Sequence, residues 1–467
     1  MELRLTEQKK VHFIGIGGIS MSGLAQILMT WGIPVSGSDR SDSPTLDHLQ
    51  ALGAQVFVGH RAGQHEGASL VVYTAAIAAD NPELVAAQAA GVQTIRRDEL
   101  LGAIIRQYRV SVGVAGMHGK STCTSMLSTI MVGCQKNPTI HIGAVLSNIG
   151  GSVLVGGTDY FITEADEYKE SFLKFPPTVA VLLNIDEDHL DYYRDLAHIE
   201  NAFRTFVAKL PAEGGCLVNG DDPLALAIGR EAPCPCHTFG MGEGLDWHAA
   251  DIAVQADGSH TFTLWHGGKA VCPVRLRVPG RHNVYNALAA IAAAQACGVA
   301  PADAALALEG YTGADRRFQK VGEVAGVTVY HDYAHHPAEV RATLEAAALL
   351  PHRKLHCLFQ PHTYTRTKTL FGPFTQAFDA ADDLVLIDIY AAREQDPGDI
   401  SSQMLGDAIN EKSGRAFARY APDFATAAAL LAERCQPGDV VLTLGAGSVE
   451  QASPFILEAI SKGSGRA

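Results

Sequence analysis

Short apolar runs recur along the chain, each closed by a glycine-rich or polar turn and followed by a longer stretch in which apolar residues return at helical spacing. Val11-His-Phe-Ile14, Leu70-Val-Val-Tyr73, Val110 to Ala115, Val179 to Leu183, Leu355 to Phe359 and Val440 to Leu444 are the clearest. Runs this short with little polar alternation predict strands buried on both faces, hence parallel sheets covered by helices. Weaker runs at Val35, Val56, Val92 to Ile95, Tyr160 to Thr163, Val327 to His331 and Leu384 to Ile389 fit the same scheme. Thr261 to Val278 departs from it, alternating polar and apolar residues around Gly267-Gly268 as a hairpin does. An alanine-rich helix from Val284 to Ala296 and a short helix from Ala302 follow. The alternation of strand and helix resets along the chain, so the expectation is an α/β protein of three nucleotide-binding-like units, residues 1–107, 108–312 and 313–467. Only the tail Lys462-Gly-Ser-Gly-Arg-Ala467 reads as disordered.

The turn after Val110 to Ala115 carries the strongest chemical signal. Gly116-Met117-His118-Gly119-Lys120-Ser121-Thr122 joins that strand to a helix. Small residues let backbone amides close around phosphates at a helix N-terminus, a lysine reaches the terminal phosphates, and a hydroxyl ligates magnesium. The spacing is one residue off the standard phosphate loop, which would put glycine where Val114 stands. A second turn, Gly15-Ile-Gly17-Gly18-Ile19-Ser20, follows Val11 to Ile14 and reads as a diphosphate site, with Ser20 in place of the last glycine of Gly-x-Gly-x-x-Gly. The next strand ends at Asp39, well placed for a ribose hydroxyl. On its residues alone this turn suits a nicotinamide or flavin dinucleotide, or another diphosphate such as a UDP-sugar. Two polar clusters, Glu164-Ala-Asp166-Glu167-Tyr168 and Asn184 to Asp191 with His189, follow consecutive strands downstream of the phosphate loop. A nucleotide with its magnesium needs oxygen and imidazole ligands there.

The 467 residues, 47% of them hydrophobic, supply ample core for several domains. No apolar run reaches membrane-spanning length, and Met1 to Lys10 leads straight towards a strand without a signal-peptide apolar region. A cytoplasmic protein with no membrane partner is therefore expected. A net charge of -14 argues against nucleic acid as the main partner. The nine cysteines are scattered, and Cys234-Pro-Cys236 has no second pair or ligand cluster for zinc, so they read as reduced packing residues.

Taken block by block, the chain resembles the ATP-dependent Mur ligase family over essentially its whole length. The matching blocks, in family order, are Gly15 to Ala25, Gly116 to Thr122, Glu164 to Tyr168, Asn184 to His189, Pro279 to Asn286, Arg316-Arg-Phe318, Asp332-Tyr-Ala-His-His-Pro337, Phe359 to Arg366, Asp388 to Ala392 and Gly445 to Val449. The resemblance implies a Rossmann-like first domain, a central P-loop ATPase-like domain and a Rossmann-like third domain. It also implies an activity: ATP- and Mg2+-dependent joining of L-alanine to the lactyl carboxylate of UDP-N-acetylmuramate through an acyl phosphate, in peptidoglycan precursor synthesis. The implied state is a monomer or weak homodimer.

Residue roles follow from the same resemblance. Gly15, Gly17, Gly18, Ile19, Ser20, Asp39 and Thr74 would bind the UDP substrate. ATP would lie on Gly116, Met117, His118, Gly119, Lys120, Ser121 and Thr122, with His282, Asn283 and Asn286 at the adenine and Asp332 at the ribose. Ser121, Glu164 and His189 would surround the metal, and Lys120, Glu164, His189 and Arg317 would carry the catalysis. Tyr333, His335, His362 and Arg366 would form the amino-acid pocket. Departures from the family pattern are Met117 and Ser121 in the phosphate loop, where threonine is usual, and Thr363 in place of an arginine. Lys169 is not assigned the carbamoylated-lysine role known in other family members. Three other readings stay open on sequence: ligation of a preformed tripeptide to the same nucleotide sugar, a nicotinamide-dependent dehydrogenase, and a noncatalytic nucleotide sensor.

Overall fold

The computed structural model describes residues 3–74 and 76–464. Three separate sheets organise the chain, and each is built around the apolar runs singled out above. The first is a five-stranded parallel sheet in the order Gln55–Val58, Val35–Asp39, Val11–Ile14, Leu70–Tyr73, Gln93–Arg96. Its central strand is buried along its whole length, and the Gly15 to Ser20 turn leaves it to enter the helix Ile19–Thr30. A short 3-10 turn, Leu5–Glu7, precedes that strand, so the chain does not run directly into it as expected.

The second sheet has ten strands, and Val110–Ala115 lies inside it between Val179–Leu182 and Tyr160–Glu164, all parallel. Sequence patterning missed Thr139–Leu146, Gly151–Leu154, Gly215–Asn219, Cys236–Gly240 and Trp247–Val254, where histidine, glycine or charged residues interrupt the apolar run. The expected hairpin is present as Ser259–His266 paired antiparallel with Lys269–Pro279, and with the antiparallel pairs Trp247–Val254 with Ser259–His266 and Thr139–Leu146 with Gly151–Leu154 it makes this sheet mixed rather than parallel throughout. Two helices, Lys120–Gly133 and the alanine-rich His282–Ala296, pack together over the sheet. Small alanine side chains permit that close approach. The buried hydroxyls of Ser125, Ser128 and Thr129 donate to carbonyls one turn back, which satisfies them without outside partners.

The third sheet runs Gln319–Val324, Val327–Asp332, Val440–Leu444, Leu355–Phe359, Asp383–Leu386, Ala418–Tyr420, with only the first pair antiparallel. The strand expected over Leu384 to Ile389 stops at Leu386, whose partner Tyr420 is the last residue of the neighbouring strand. At the C-terminus the helix Ala452–Ser464 takes in Lys462, Gly463 and Ser464, which had read as disordered. The remainder of that tail lies outside the described residues.

Apolar packing does not divide into three in the same way. One buried cluster runs from Leu5 through Phe13, Leu100 and Phe161 to Phe206, and so joins the first sheet to the second. Gly102 marks how close the two come, since a Cβ there would stand 2.3 Å from the Lys174 carbonyl oxygen. Among the described residues, the clusters around Phe359 and Phe378 and around Val441 and Ile456 are drawn from the third unit alone.

Candidate active site

The phosphate loop departs from the standard spacing because Val114 is still a strand residue, buried and paired with Val181 and Glu164. The turn begins at Gly116, and Gly119 (φ +84°) adopts the left-handed conformation just before the helix Lys120–Gly133. A side chain at 119 would strike Asn286 Oδ1 at 2.7 Å. Asn184 clasps the loop from the neighbouring strand end: its Oδ1 accepts from His118 N–H at 2.8 Å and its Nδ2 donates to the His118 carbonyl at 3.0 Å. Lys120 Nζ folds back to donate to the carbonyls of Gly116 (2.6 Å) and Met117 (3.2 Å) and to Glu167 Oε1 (2.9 Å).

Glu167 is fully buried and is the local counter-charge. It pairs with Lys120 at 2.8 Å and with His189 Nε2 at 3.3 Å. Burial works against its charge, but Lys120 and His189 outweigh that and hold the carboxyl below its usual range. His189 in turn is lowered by burial and raised more strongly by Glu167 and Asp188, so it keeps its proton more tightly than a free histidine. Glu164 behaves differently. Burial pushes its carboxyl up, partly offset by the Gly143 N–H at 2.9 Å and by the charges of Lys120 and Arg317.

The third sheet brings its strand ends against this centre. Asp332 accepts N–H bonds from Phe318 (2.7 Å) and Ala334 (2.8 Å), and burial raises its carboxyl to about 6. The Arg316 and Arg317 guanidinium carbons lie 4.6 and 5.2 Å from the Tyr333 ring centroid. His335 and His362 pack edge to face, with burial lowering them to about 3 and about 4. Arg366 does not stand open as a fork. Its Nε and Nη2 donate to Asp188 Oδ1 at 3.1 and 2.9 Å, while Nη1 donates to His362 Nδ1 at 3.0 Å. Thr363, in the position noted for a missing arginine, caps the helix Tyr364–Thr369, its hydroxyl accepting from the Arg366 N–H at 3.4 Å.

Two cavities result. The larger, about 990 Å³, is lined by Lys120, Ser121, Glu164, Glu167 and His189 on one side and by Arg317, Tyr333, His335, His362 and Arg366 on the other. Ile19 reaches it from the first unit. The smaller, about 240 Å³, is lined by His118, Gly119, Thr122, His282, Asn283, Asn286 and Asp332. Asn283 and Asn286 share one helix face as their spacing implied, and Asn286 Nδ2 donates to Asn283 Oδ1 at 3.1 Å. Gly116 and Met117 complete the loop, and Met117 also faces the larger cavity.

The remaining predicted substrate residues cluster at the first turn. Asp39 is taken up with the turn itself: its Oδ2 accepts the Gly17 N–H at 2.9 Å. Thr74 packs against Gly15, where an added Cβ would be 3.0 Å from its methyl. Gly18 donates to the Gly15 carbonyl at 3.3 Å. Ser20 faces the second unit, its hydroxyl 3.1 Å from His141 Nε2 and accepting from Arg97 Nη1 at 3.0 Å. Among the described residues, the groups of three or more histidine, cysteine or carboxylate ligand atoms within 4.8 Å of one another are His118, Asp186, His336 and His356, Cys435, Asp439. Glu164 and His189 belong to neither.

Sequence reading passed over several residues that matter here. Asn184, Glu167 and Asp188 stood inside the quoted clusters, yet nothing local distinguished them from their acidic neighbours. Glu339 forms a capping box with His336, a signature hidden because histidine replaces the usual serine or threonine. His141 and Arg97 meet Ser20 only through the packing of one unit on the next.

Two nucleotide-type turns and a cavity walled by three units define a multidomain phosphate-loop protein of α/β class. The chain matches the Mur ligase family catalytic domain over residues 10–109, the Mur ligase middle domain over 114–294 and the Mur ligase glutamate ligase domain over 316–447. It belongs to the Mur ligase family. A UDP-N-acetylmuramate–L-alanine ligase of Clostridium novyi is 46% identical over 97% of this chain and 98% of its own length. Another, from Caldanaerobacter subterraneus, is 44% identical over 98% of this chain and 99% of its own. Among solved structures, the UDP-N-acetylmuramate-alanine ligase MurC of Thermotoga maritima is similar with a TM-score of 0.79 and 28% identity, covering 97% of this chain and 99% of that one.

Proposed function

We propose that this protein joins L-alanine to the lactyl carboxylate of UDP-N-acetylmuramate at the expense of ATP, as its relatives are named for doing. The observation that carries the reading is the large cavity, where a phosphate-loop lysine and buried carboxylates face an arginine- and histidine-lined wall from another unit. ATP would lie with its base in the smaller pocket and its phosphates over Gly116 to Thr122. The UDP part would lie on the Gly15 to Ser20 turn, and the units would divide at residues 107/108 and 312/313.

A carboxylate is a poor acyl donor, so its oxygen would first attack the γ-phosphorus and expel ADP. The L-alanine nitrogen would then attack the acyl-phosphate carbonyl and expel phosphate. Lys120 and Arg317 flank the transferring phosphoryl group, and their fixed charge offsets the charge spread over its oxygens. The amine must lose a proton. His189 is a poor acceptor because Glu167 keeps it protonated, whereas burial keeps His335 neutral. His335 Nδ1 donates to the Tyr333 carbonyl at 3.0 Å, which leaves the Nε2 lone pair to accept a hydrogen bond from the amine, while the proton itself passes to solvent because a group lowered to about 3 is too weak a base to keep it. An incoming amino-acid carboxylate would compete with Asp188 for Arg366.

Magnesium fits the oxygen donors: the Ser121 hydroxyl and the Glu164 carboxylate interact at the phosphate loop, and a hard cation would relieve the cost of burying Glu164 as an anion. His189 would have to leave Glu167 to ligate it. Bound there, the ion would neutralise phosphate charge. The test is phosphate release with UDP-N-acetylmuramate, ATP and each amino acid in turn, with a preformed free tripeptide as an alternative amine. Release dependent on L-alanine is expected, and release with the tripeptide alone would overturn the choice of substrate.

A further inference from the structure

Arg317 and Glu339 line both cavities, and so form the partition between them. Glu339 lies in the first turn of the helix Pro337–Ala348 of the third unit, yet its two oxygens point to different tasks. Oε2 accepts the N–H bonds of His335 (3.1 Å) and His336 (3.3 Å) and stands 3.3 Å from His335 Nδ1. Oε1 lies 3.2 Å from Nδ1 of His118, in the phosphate loop of the second unit. Across the same boundary the His118 and His336 rings lie 4.7 Å apart, and His336 Nε2 is 3.1 Å from the Glu187 carbonyl. The Glu339 side chain is only 15% exposed, so water screens its contacts weakly. A helix cap needs only Oε2; nothing in capping explains a second oxygen committed to another unit.

We propose that Glu339 is a positioning residue for the ligation: its carboxylate ties the phosphate loop, through His118, to the backbone that aims His335 into the amino-acid cavity. The phosphoryl donor is held by one unit and the attacking amine by another, and a misplacement of about 1 Å between them costs about a hundredfold in rate. Glu339 couples the two placements, so that closing the third unit onto the loaded phosphate loop also sets His335 and the amine it receives. The inference rests on the ligase reading above.

Glu339→Gln separates the two tasks. The amide oxygen still accepts the backbone N–H bonds, while the amide nitrogen turned towards His118 has no lone pair to offer its N–H. We expect Glu339→Gln to lower the melting temperature less than Glu339→Ala does, because the backbone N–H bonds survive, and to lose about tenfold or more in kcat/KM for L-alanine. Glu339→Ala should show the same kinetic loss together with a lower melting temperature. Wild-type kinetics in Glu339→Gln would overturn the proposal. So would equal losses of melting temperature in both variants, because Glu339 would then be a cap and nothing more. The wild type is run in parallel: if it releases no phosphate with UDP-N-acetylmuramate and L-alanine, the ligase reading fails, and this inference with it.

Discussion

The glycine turn of the first sheet and the phosphate loop of the second are built alike, each leaving an interior parallel strand and entering a helix, but their surroundings differ in charge. At the first turn the Gly17 amide is occupied by the Asp39 carboxylate, and the nearby guanidinium, Arg97, comes from a distant helix and bonds to Ser20. At the second, the loop supplies its own cation, and Lys120 is satisfied for the moment by the loop carbonyls and Glu167. A triphosphate can displace such internal bonds with stronger ones, because it brings more charge to the same lysine and to the amides around it. A carboxylate held in a turn instead repels phosphate and accepts from hydroxyl groups, which suits a ribose. On the proposed reading the same backbone motif would serve two ligands, with the side chains that approach it from neighbouring strand ends deciding which.

The sharpest way to break this contrast is to remove the lysine. Lys120→Ala should lower kcat by at least about a hundredfold, the scale of losing one transition-state stabiliser, while leaving UDP-N-acetylmuramate binding intact. Near-normal turnover would mean that the second turn is no more specialised than the first. A smaller effect is expected from Asp39→Ala. Losing one hydrogen bond to a charged acceptor should raise KM for UDP-N-acetylmuramate about tenfold with KM for ATP changed by less than about twofold. A matching rise for ATP would show that the first turn does not read the sugar nucleotide separately.

The gentlest test uses pH. Burial lowers His118, but Asp186 and Glu339 more than compensate, raising it from 6.5 to about 9. A group raised on folding contributes stability that is fully present below about 6.5 and is lost as pH rises through about 9. The difference in melting temperature between wild type and His118→Gln should therefore be largest near pH 6 and shrink towards about pH 10. A gap independent of pH would remove charge from the account of this loop.

Much of this arrangement was legible in the chain, for a physical reason. Strands buried on both faces have to be apolar throughout, so Val110 to Ala115 and Leu355 to Phe359 announced themselves. Edge and solvent-facing strands such as Gln319–Val324 carry no such demand and left no signal. Residues that meet a ligand through their own loop, as Lys120 and Ser121 are placed to do, were readable from spacing. Those whose partners come from another unit were not: Asp188 on Arg366, Glu339 on His118 and His141 on Ser20 are created by packing and have no local periodicity. The Arg366 fork shows the cost of that blindness, since its charge was legible and its prior engagement with Asp188 was not.

The continuous apolar core beneath the first two sheets, set against the self-contained cores of the third, has a mechanical consequence. Prising the first unit from the second would part Gly102 from Lys174 and cut through that shared apolar cluster, so those two behave as one fixed jaw. The seam with the third unit is crossed by Arg366 to Asp188 and His118 to Glu339. Parting that seam exposes charged groups that water solvates readily, rather than apolar side chains. On the proposed reading, exchanging spent nucleotide for fresh would then cost the parting of a few ion pairs, without baring the folded core of either half.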